Sequence, residues 1–398
     1  MKILYISALS SERLIHQIYN KTGVNPGFAV QKFSRLLAKG FVANNVDIVA
    51  FTCPPITRDY YQNPLAMLDK EEENEIIYKY IPFLNFPILK HLSVMFYTFF
   101  YVLFWGLRNR KEKTIICDVL TVSASAGALL ATKINRIQSV GVVTDIYNQM
   151  VSSSQSTFNS LVTKTANFVH DIYVTNFNKY ILLTEPMTNL VNPRKRPYIV
   201  MEALCDQTIQ NESIVAYSKS EPRTIVYAGG LFEKYGLKML VEGFIKADVE
   251  NVNLLLYGDG PYVDELNEVC KSHTNVIYKG IAPNEVVVEE ELKASLLVNP
   301  RFSTEELTKY SFPSKNMEFM VSGTPLLTTK LPGMPKDYYP FVFLFEDETI
   351  DGYAEAITKA LQLSEQELNE FGNKAKNFVL NNKSNFQQAQ RVLNFINQ

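Results

Sequence analysis

The sequence predicts an α/β protein built as two doubly wound, parallel-sheet domains in series. Three observations carry this. Short apolar runs of strand length alternate with helix-length segments, one polar break falls near the middle, and the same rhythm restarts after it. Strands of a parallel sheet are covered on both faces, so they read as continuous apolar runs rather than as alternations.

In the first half, Ile3-Leu4-Tyr5-Ile6-Ser7 is the first strand, a run too short for a secretory leader. Further strands are expected at 46–51 (VDIVAF), 114–119 (TIICDV), 139–144 (SVGVVT), 180–184 (YILLT) and 199–201. Helices are expected at 29–39 and 124–135. The polar stretch 206–222 (DQTIQNESIVAYSKSEP) reads as a linker between a domain at 1–205 and a second at 223–383. Strands then recur at 224–227, 252–257, 276–278, 296–298, 325–328 and 341–344, with helices at 237–246, 263–271, 285–294 and 313–322. The final segment, 384–398, carries an amphipathic stripe (Phe386, Ala389, Val392, Leu393, Ile396) and is expected to cross back onto the first domain. Two such domains would face each other across a cleft, with ligands outside the carboxyl ends of the strands.

Composition narrows the function. The 398 residues are 46% hydrophobic, ample for large cores. A net charge of −2 and a pI near 6.2 argue against a nucleic-acid partner. The four cysteines (Cys53, Cys117, Cys205, Cys270) are far apart and read as reduced thiols of a cytoplasmic protein. The four histidines are scattered, so no metal site is expected. The run Leu92 to Leu107 (LSVMFYTFFYVLFWGL) is almost wholly apolar and is followed by Arg108, Arg110, Lys111 and Lys113. Three readings stay open for 92–113: a buried helix, a helix lying in an anionic membrane interface, or a span.

Dinucleotide and P-loop glycine motifs are absent, as are the zinc-protease and nucleophile-elbow motifs. What carries chemistry lies in the second half. Tyr227-Ala228-Gly229-Gly230 ends a strand in two glycines, and Lys234 precedes the next helix; bare backbone N–H groups and an ammonium suit an oxyanion. Tyr257-Gly258-Asp259-Gly260-Pro261 is a second turn at a strand's carboxyl end, a candidate cleft wall. The third segment is Asn299-Pro300-Arg301 followed by Tyr310-Ser311-Phe312-Pro313-Ser314-Lys315-Asn316-Met317-Glu318. Pro313 suits a first helical turn, Gly323 the position past its end, and Ser311 or Ser314 the cap. The helix tip is then an anion site, with Ser314, Lys315 and Glu318 on one face. Phosphate at the tip and ribose at Glu318 would describe a nucleoside diphosphate.

These segments resemble the retaining glycosyltransferases of family 4, of the GT-B fold with two Rossmann-like domains. They look most like the bacterial enzymes of capsular, exopolysaccharide and O-antigen synthesis. The carrying residues are YAGGLFEKYGLKMLVEGF (227–244), LLLYGDGPYVDEL (254–266), VIYKGIAP (276–283), LLVNPR (296–301) and YSFPSKNMEFMVSGTPLL (310–327). The resemblance implies a hexosyltransferase without a metal or other cofactor. Its donor would be a UDP- or GDP-linked sugar and its acceptor a lipid-linked saccharide, with a cytoplasmic location at the inner face of the membrane.

By the resemblance, Gly229, Gly230 and Lys234 face the diphosphate, and Gly258, Lys279 and Gly280 border the base. Arg301, Ser314 and Lys315 hold phosphates, and Glu318 binds the ribose. Tyr310, Ser311 and Phe312 would lie on the donor side. Many members carry an arginine where this chain has Gly230, and Arg301 would supply that charge. The family's paired glutamates stand eight residues apart, and counting back from Glu318 gives Tyr310; either Glu305 or Glu306 would reach in from a longer loop, or backbone groups near Tyr310 would contact the sugar. In the first domain, Asn25 and Gly27 occupy the place of the family's N-terminal glycine loop, on the acceptor side. Asp145 ends the strand SVGVVT, either beside the reacting sugar or as a cap to Ile146. Lys234, Lys315 and Asp145 are the catalytic candidates. Two alternatives share the fold: a nucleotide-sugar epimerase and a non-catalytic partner subunit.

Overall fold

The structure is a computed structural model that describes residues 1–108, 112–146, 170–211 and 218–398. The chain forms two compact units, one of residues 1–204 with 385–398 and one of residues 205–384.

The strands of the first unit are β1 (Lys2–Ser7), β2 (Asp47–Thr52), β3 (Leu65–Ala66), β4 (Glu71–Glu73), β5 (Ile76–Tyr80), β6 (Phe83–Leu84), β7 (Lys113–Asp118), β8 (Gln138–Val143), β9 (Lys179–Leu182) and β10 (Tyr198–Val200). Its helices include α1 (Glu12–Thr22), α2 (Phe28–Ala43), α3 (Pro87–Arg108) and α4 (Val122–Asn135). The sheet order is β10-β9-β8-β7-β1-β2-β5-β4. Every pair in it is parallel except β4–β5. Strand order reverses between β1 and β7, the mark of a doubly wound sheet. Ile3, Leu4, Tyr5 and Ile6 are fully buried, as an internal strand requires.

Four strands lie where the sequence reading placed none: β3 and β6, which form a separate two-stranded sheet, and β4 and β5 of the main sheet. β5 alternates buried and half-buried residues around Lys79, so it lacks a continuous apolar run. β4 is three glutamates, and tertiary contacts hold it. The Glu73 carboxylate accepts the Glu12 N–H at the start of α1 (3.0 Å), and the Tyr80 hydroxyl donates to Glu71 (2.9 Å). Carboxylates at that end of α1 meet the positive end of its dipole.

The last helix, Asn385–Asn397, belongs to the first unit and packs on α2. A Cβ at Gly40 would fall 2.1 Å from the Asn385 carbonyl oxygen, so only glycine lets the two helices approach. Asn44 Nδ2 donates to the Phe386 carbonyl (3.0 Å), and Lys179 Nζ to that of Phe395 (2.7 Å).

The second unit holds β11 (Arg223–Ala228), β12 (Val252–Tyr257), β13 (Val276–Gly280), β14 (Leu296–Asn299), β15 (Leu326–Thr329) and β16 (Phe343–Phe345). Between and after them run α5 (Leu237–Ala247), α6 (Val263–Ser272), α7 (Asn284–Lys293), α8 (Ser314–Ser322), α9 (Ile350–Leu361) and α10 (Glu365–Asn382). All strands are parallel, in the order β13-β12-β11-β14-β15-β16. This is the Rossmann order 3-2-1-4-5-6, with its switch point between β11 and β14. The last strand starts later than its apolar run because Lys336–Phe341 forms a 3₁₀ turn that stacks Phe341 on Phe378 (4.3 Å). The end of the polar stretch is fixed to this unit: Lys219 Nζ donates to the Leu292 and Ala294 carbonyls (3.1 and 2.9 Å), and Ser220 N–H to that of Lys293 (3.0 Å).

Candidate functional site

A doubly wound sheet leaves a crevice at its switch point, outside the carboxyl ends of the strands that part there. In the second unit those strands are β11 and β14. A pocket of about 160 Å³ lies there, lined by Gly229 and Gly230 after β11, Asn299 and Arg301 at the end of β14, and Ser314 and Lys315 opening α8. That volume is below the roughly 300–1,000 Å³ of complete small-molecule sites, so the pocket suits one end of a larger ligand.

The glycine turn is held from behind. Gly229 N–H donates to the Tyr257 carbonyl (3.0 Å), and the Tyr227 hydroxyl donates to the Gly230 carbonyl (2.9 Å). Gly258, with φ at +128°, packs against this turn, and a Cβ there would sit 1.8 Å from the Gly229 carbonyl oxygen. Gly258 therefore shapes the pocket from outside its lining. Burial pushes the Tyr227 hydroxyl well above its usual range, and the positive charge of Arg301 partly offsets this.

The Arg301 loop is clamped from two sides. Gly236 adopts φ +79°, and a Cβ there would meet the Pro300 carbonyl oxygen at 1.9 Å. The Tyr353 hydroxyl donates to the same oxygen (2.7 Å). The Arg301 guanidinium lies 4.8 Å from the centroid of the Tyr235 ring, and Lys234 Nζ lies 5.5 Å from it. Tyr235 lines the pocket and was not among the candidates, although an aromatic between Lys234 and Gly236 was there to be read.

At α8, Pro313 occupies the N-cap and brings no side-chain acceptor; Ser314 is the first helical residue. This corrects the expectation that Ser311 or Ser314 is the cap and that Pro313 lies inside the first turn. The proline's extended ψ leaves it half outside the helix. The helix tip is set against the switch point by a buried amide network. Asn299 Nδ2 donates to Asn316 Oδ1 (2.6 Å), Asn316 Nδ2 to the Thr328 hydroxyl (3.3 Å), and that hydroxyl to the Asn299 carbonyl (3.1 Å). Gly323, at φ +82°, ends the helix.

Of the other candidates, Lys315 lies 5.6 Å over the Phe319 ring, and Glu318 is exposed one turn further along. Phe312 is buried and tilted against Tyr338 (5.3 Å), so it is a core residue, not part of the pocket lining. Tyr310 and Ser311 are half-buried in the preceding loop, and Lys279 and Gly280 end β13; none of these lines the pocket. Lys234 is exposed at its margin, on the Tyr235 ring. In the first unit, Asn25 Oδ1 accepts the Gly27 N–H (2.8 Å), and Gly27, at φ +81°, is the N-cap of α2. Asp145 is half-buried after β8 and accepts the Ile146 N–H (2.7 Å); burial raises its pKa, and that bond lowers it. Of the basic run, Arg110 and Lys111 lie outside the described residues, as do 212–217 of the linker.

One acidic group was missed. Glu291 on α7 is 7% exposed, and burial pushes its carboxyl up to about 7, opposed by Lys315 and reinforced by Glu318. In the sequence it closes a run of three glutamates that reads as a solvated helix face.

The cationic pocket, the glycine turn and the free helix tip meet in one Rossmann-like unit. Residues 209–378 match the family model for glycosyl transferases group 1. No curated protein sequence matches the chain. Its fold is shared with solved structures along nearly their whole length. Sucrose-phosphate synthase from Thermosynechococcus elongatus superposes with a TM-score of 0.60 at 13% identity, covering 100% of this chain and 99% of that one. Anabaena HepE in complex with UDP gives 0.60 at 14%, covering 100% of both. A glycosyltransferase from Rickettsia africae gives 0.62 at 12%, covering 99% of this chain and 97% of that one. The fold is therefore GT-B, and the group 1 match over the second unit supports a GT-B glycosyltransferase.

Proposed function

We propose that this protein transfers a hexose from a nucleoside-diphosphate sugar to a lipid-linked saccharide, with retention of configuration and without a metal. Its setting would be bacterial surface-polysaccharide synthesis at the inner face of the cell membrane. The observation that carries the donor part is the grouping of Arg301, Lys315, the Gly229-Gly230 turn and the free tip of α8 around one pocket.

The chemistry follows from charge. Cleaving the bond between the anomeric carbon and phosphate leaves a diphosphate with one more negative charge. Arg301, Lys315 and the α8 N–H groups stabilise that charge where it develops, with Lys234 adding field from the margin. The glycines let the backbone approach the oxygens closely. Glu318, one turn along α8, takes the ribose hydroxyls. The acceptor hydroxyl attacks from the face the leaving group departs, and the departing phosphate takes its proton, so no strong protein base is needed. The first unit takes the acceptor, with Asn25, Gly27 and Asp145 on that side.

Calorimetric titration with UDP, GDP and inorganic phosphate in excess chelator tests this directly. One nucleoside diphosphate should bind and raise the thermal transition of the second unit, UDP being the first to try because the Anabaena structure holds it. Absence of binding by both nucleotides, or binding only after Mg²⁺ is restored, would overturn the donor reading.

A further inference from the structure

Helices α3 and α4 lie side by side and run parallel. His91 Nδ1 and Ser123 Oγ are 3.0 Å apart near their starts, and Asn135 Nδ2 donates to the Leu103 carbonyl (2.9 Å) near their ends. A Cβ at Gly127 would fall 2.3 Å from the Met95 carbonyl oxygen, so the approach is close. One face of α3 is committed to the unit: Val94, Thr98, Val102 and Trp105 are buried, and Tyr101 stacks on Phe51 (4.0 Å).

The other face is bare. Ile88, Leu92, Phe96, Phe100, Phe104 and Leu107 are 74%, 45%, 55%, 51%, 55% and 69% exposed, at three- and four-residue spacing. Alongside them, α4 exposes Leu130 (52%) and Ile134 (62%). Together these side chains leave on the order of 600–800 Å² of apolar surface, beyond what a soluble monomer commonly keeps in one patch.

Charge identifies the occupant. The chain has 41 acidic residues in 398, yet α3 and α4 contain none. Their cations are Lys90, Arg108 and Lys133, with Arg136 capping α4. Because the helices run parallel, Arg108, Lys133 and Arg136 stand at the same end of the patch. A self-pairing of this face would leave those cations without carboxylate partners, whereas lipid phosphates would meet them. α3 is long and apolar enough to cross a membrane. Crossing would strip its inner face from α4 and the sheet, so lying flat is the arrangement compatible with the fold.

We infer that the outward face of α3 and α4 is a docking surface for an anionic lipid bilayer, with α3 in the plane of the interface. This rests on the first unit alone and does not require the donor reading, though it provides the membrane that a lipid-linked acceptor needs.

Co-sedimentation of the full chain with vesicles of phosphatidylcholine, with or without phosphatidylglycerol, tests it. Binding should need the anionic lipid and should reverse in high salt. The triple variant Phe96→Gln/Phe100→Gln/Phe104→Gln should lose at least about tenfold in partitioning. Arg108→Glu/Lys133→Glu should lose most of the preference for phosphatidylglycerol. Both variants should keep the wild-type melting transition and nucleotide binding, which separates failure here from failure of the donor reading. Equal vesicle binding by the triple variant would overturn the inference. So would retention through alkaline carbonate extraction, which marks a span. A dimer in light scattering that the triple variant abolishes, with no vesicle binding by the wild type, would assign the face to a second copy and overturn it too.

Discussion

Lys315 stands one residue into α8, where a helix start without a side-chain cap and its own ammonium meet at the same pocket. Its visible packing partner is the Phe319 ring, so removing it should cost little stability. Lys315→Ala should lower turnover by more than about tenfold with an unchanged melting temperature, since a single donor to a developing oxyanion is worth about that or more. Near-normal transfer by this variant would remove the leaving-group role. Glu291 gives a second test at this scale. Its folded carboxyl is raised to about 7 from an ordinary 4.5, so the native state holds the proton more tightly than the unfolded chain. The stability this lends is complete below the unfolded value and falls away as pH rises through about 7. Glu291→Gln keeps the shape without the charge. It should match the wild type near pH 5 and exceed it at pH 8 by on the order of 2 kcal/mol, read from paired denaturation curves. Parallel curves at both pH values would show that the site does not penalise the charge.

At the scale of elements, three tips are fixed relative to one another: the turn after β11, the end of β14 and the start of α8. The Asn299–Asn316–Thr328 network ties the last two together, and Gly236 with Tyr353 clamps the Pro300 carbonyl. Gly236 is the most exacting of these positions, because it needs both a left-handed backbone and room for a carbonyl where a Cβ would be. Gly236→Ala should cost roughly 1–3 kcal/mol and weaken nucleotide binding in calorimetry, because the Arg301 loop must move. Full affinity with full stability would mean that the loop shifts without consequence.

At the scale of the whole molecule, the chain enters the second unit at Cys205 and returns to the first at Asn385. Val392, Phe395 and Ile396 of the last helix are buried in the first unit. At roughly 1.5–3 kcal/mol each, their burial is comparable with the marginal stability of a domain. Removing residues 385–398 should therefore lower the melting transition of the first unit, or abolish it, while nucleotide binding by the second persists. Calorimetry showing both transitions unmoved would mean that the helix is an accessory.

The sequence made much of this legible. Continuous apolar runs located the strands of both sheets, because parallel strands are covered on both faces. The order of glycine turn, NPR and SFPSK pointed to segments that line one pocket, because backbone approach, fixed charge and a helix start each demand particular residue types. Strand β4, three glutamates, was not legible, because its pairing depends on α1 and Tyr80 rather than on its own pattern. Tyr235 and Glu291 escaped for a similar reason: an aromatic gains meaning from the two cations over it, and a carboxylate from the burial around it. Phe312 and α3 went the other way. The resemblance put Phe312 on the donor side and composition left α3 undecided between core and surface; only packing put Phe312 inside and half of α3 outside. Local chemistry is written along the chain, whereas what a side chain faces is decided by residues far from it in sequence.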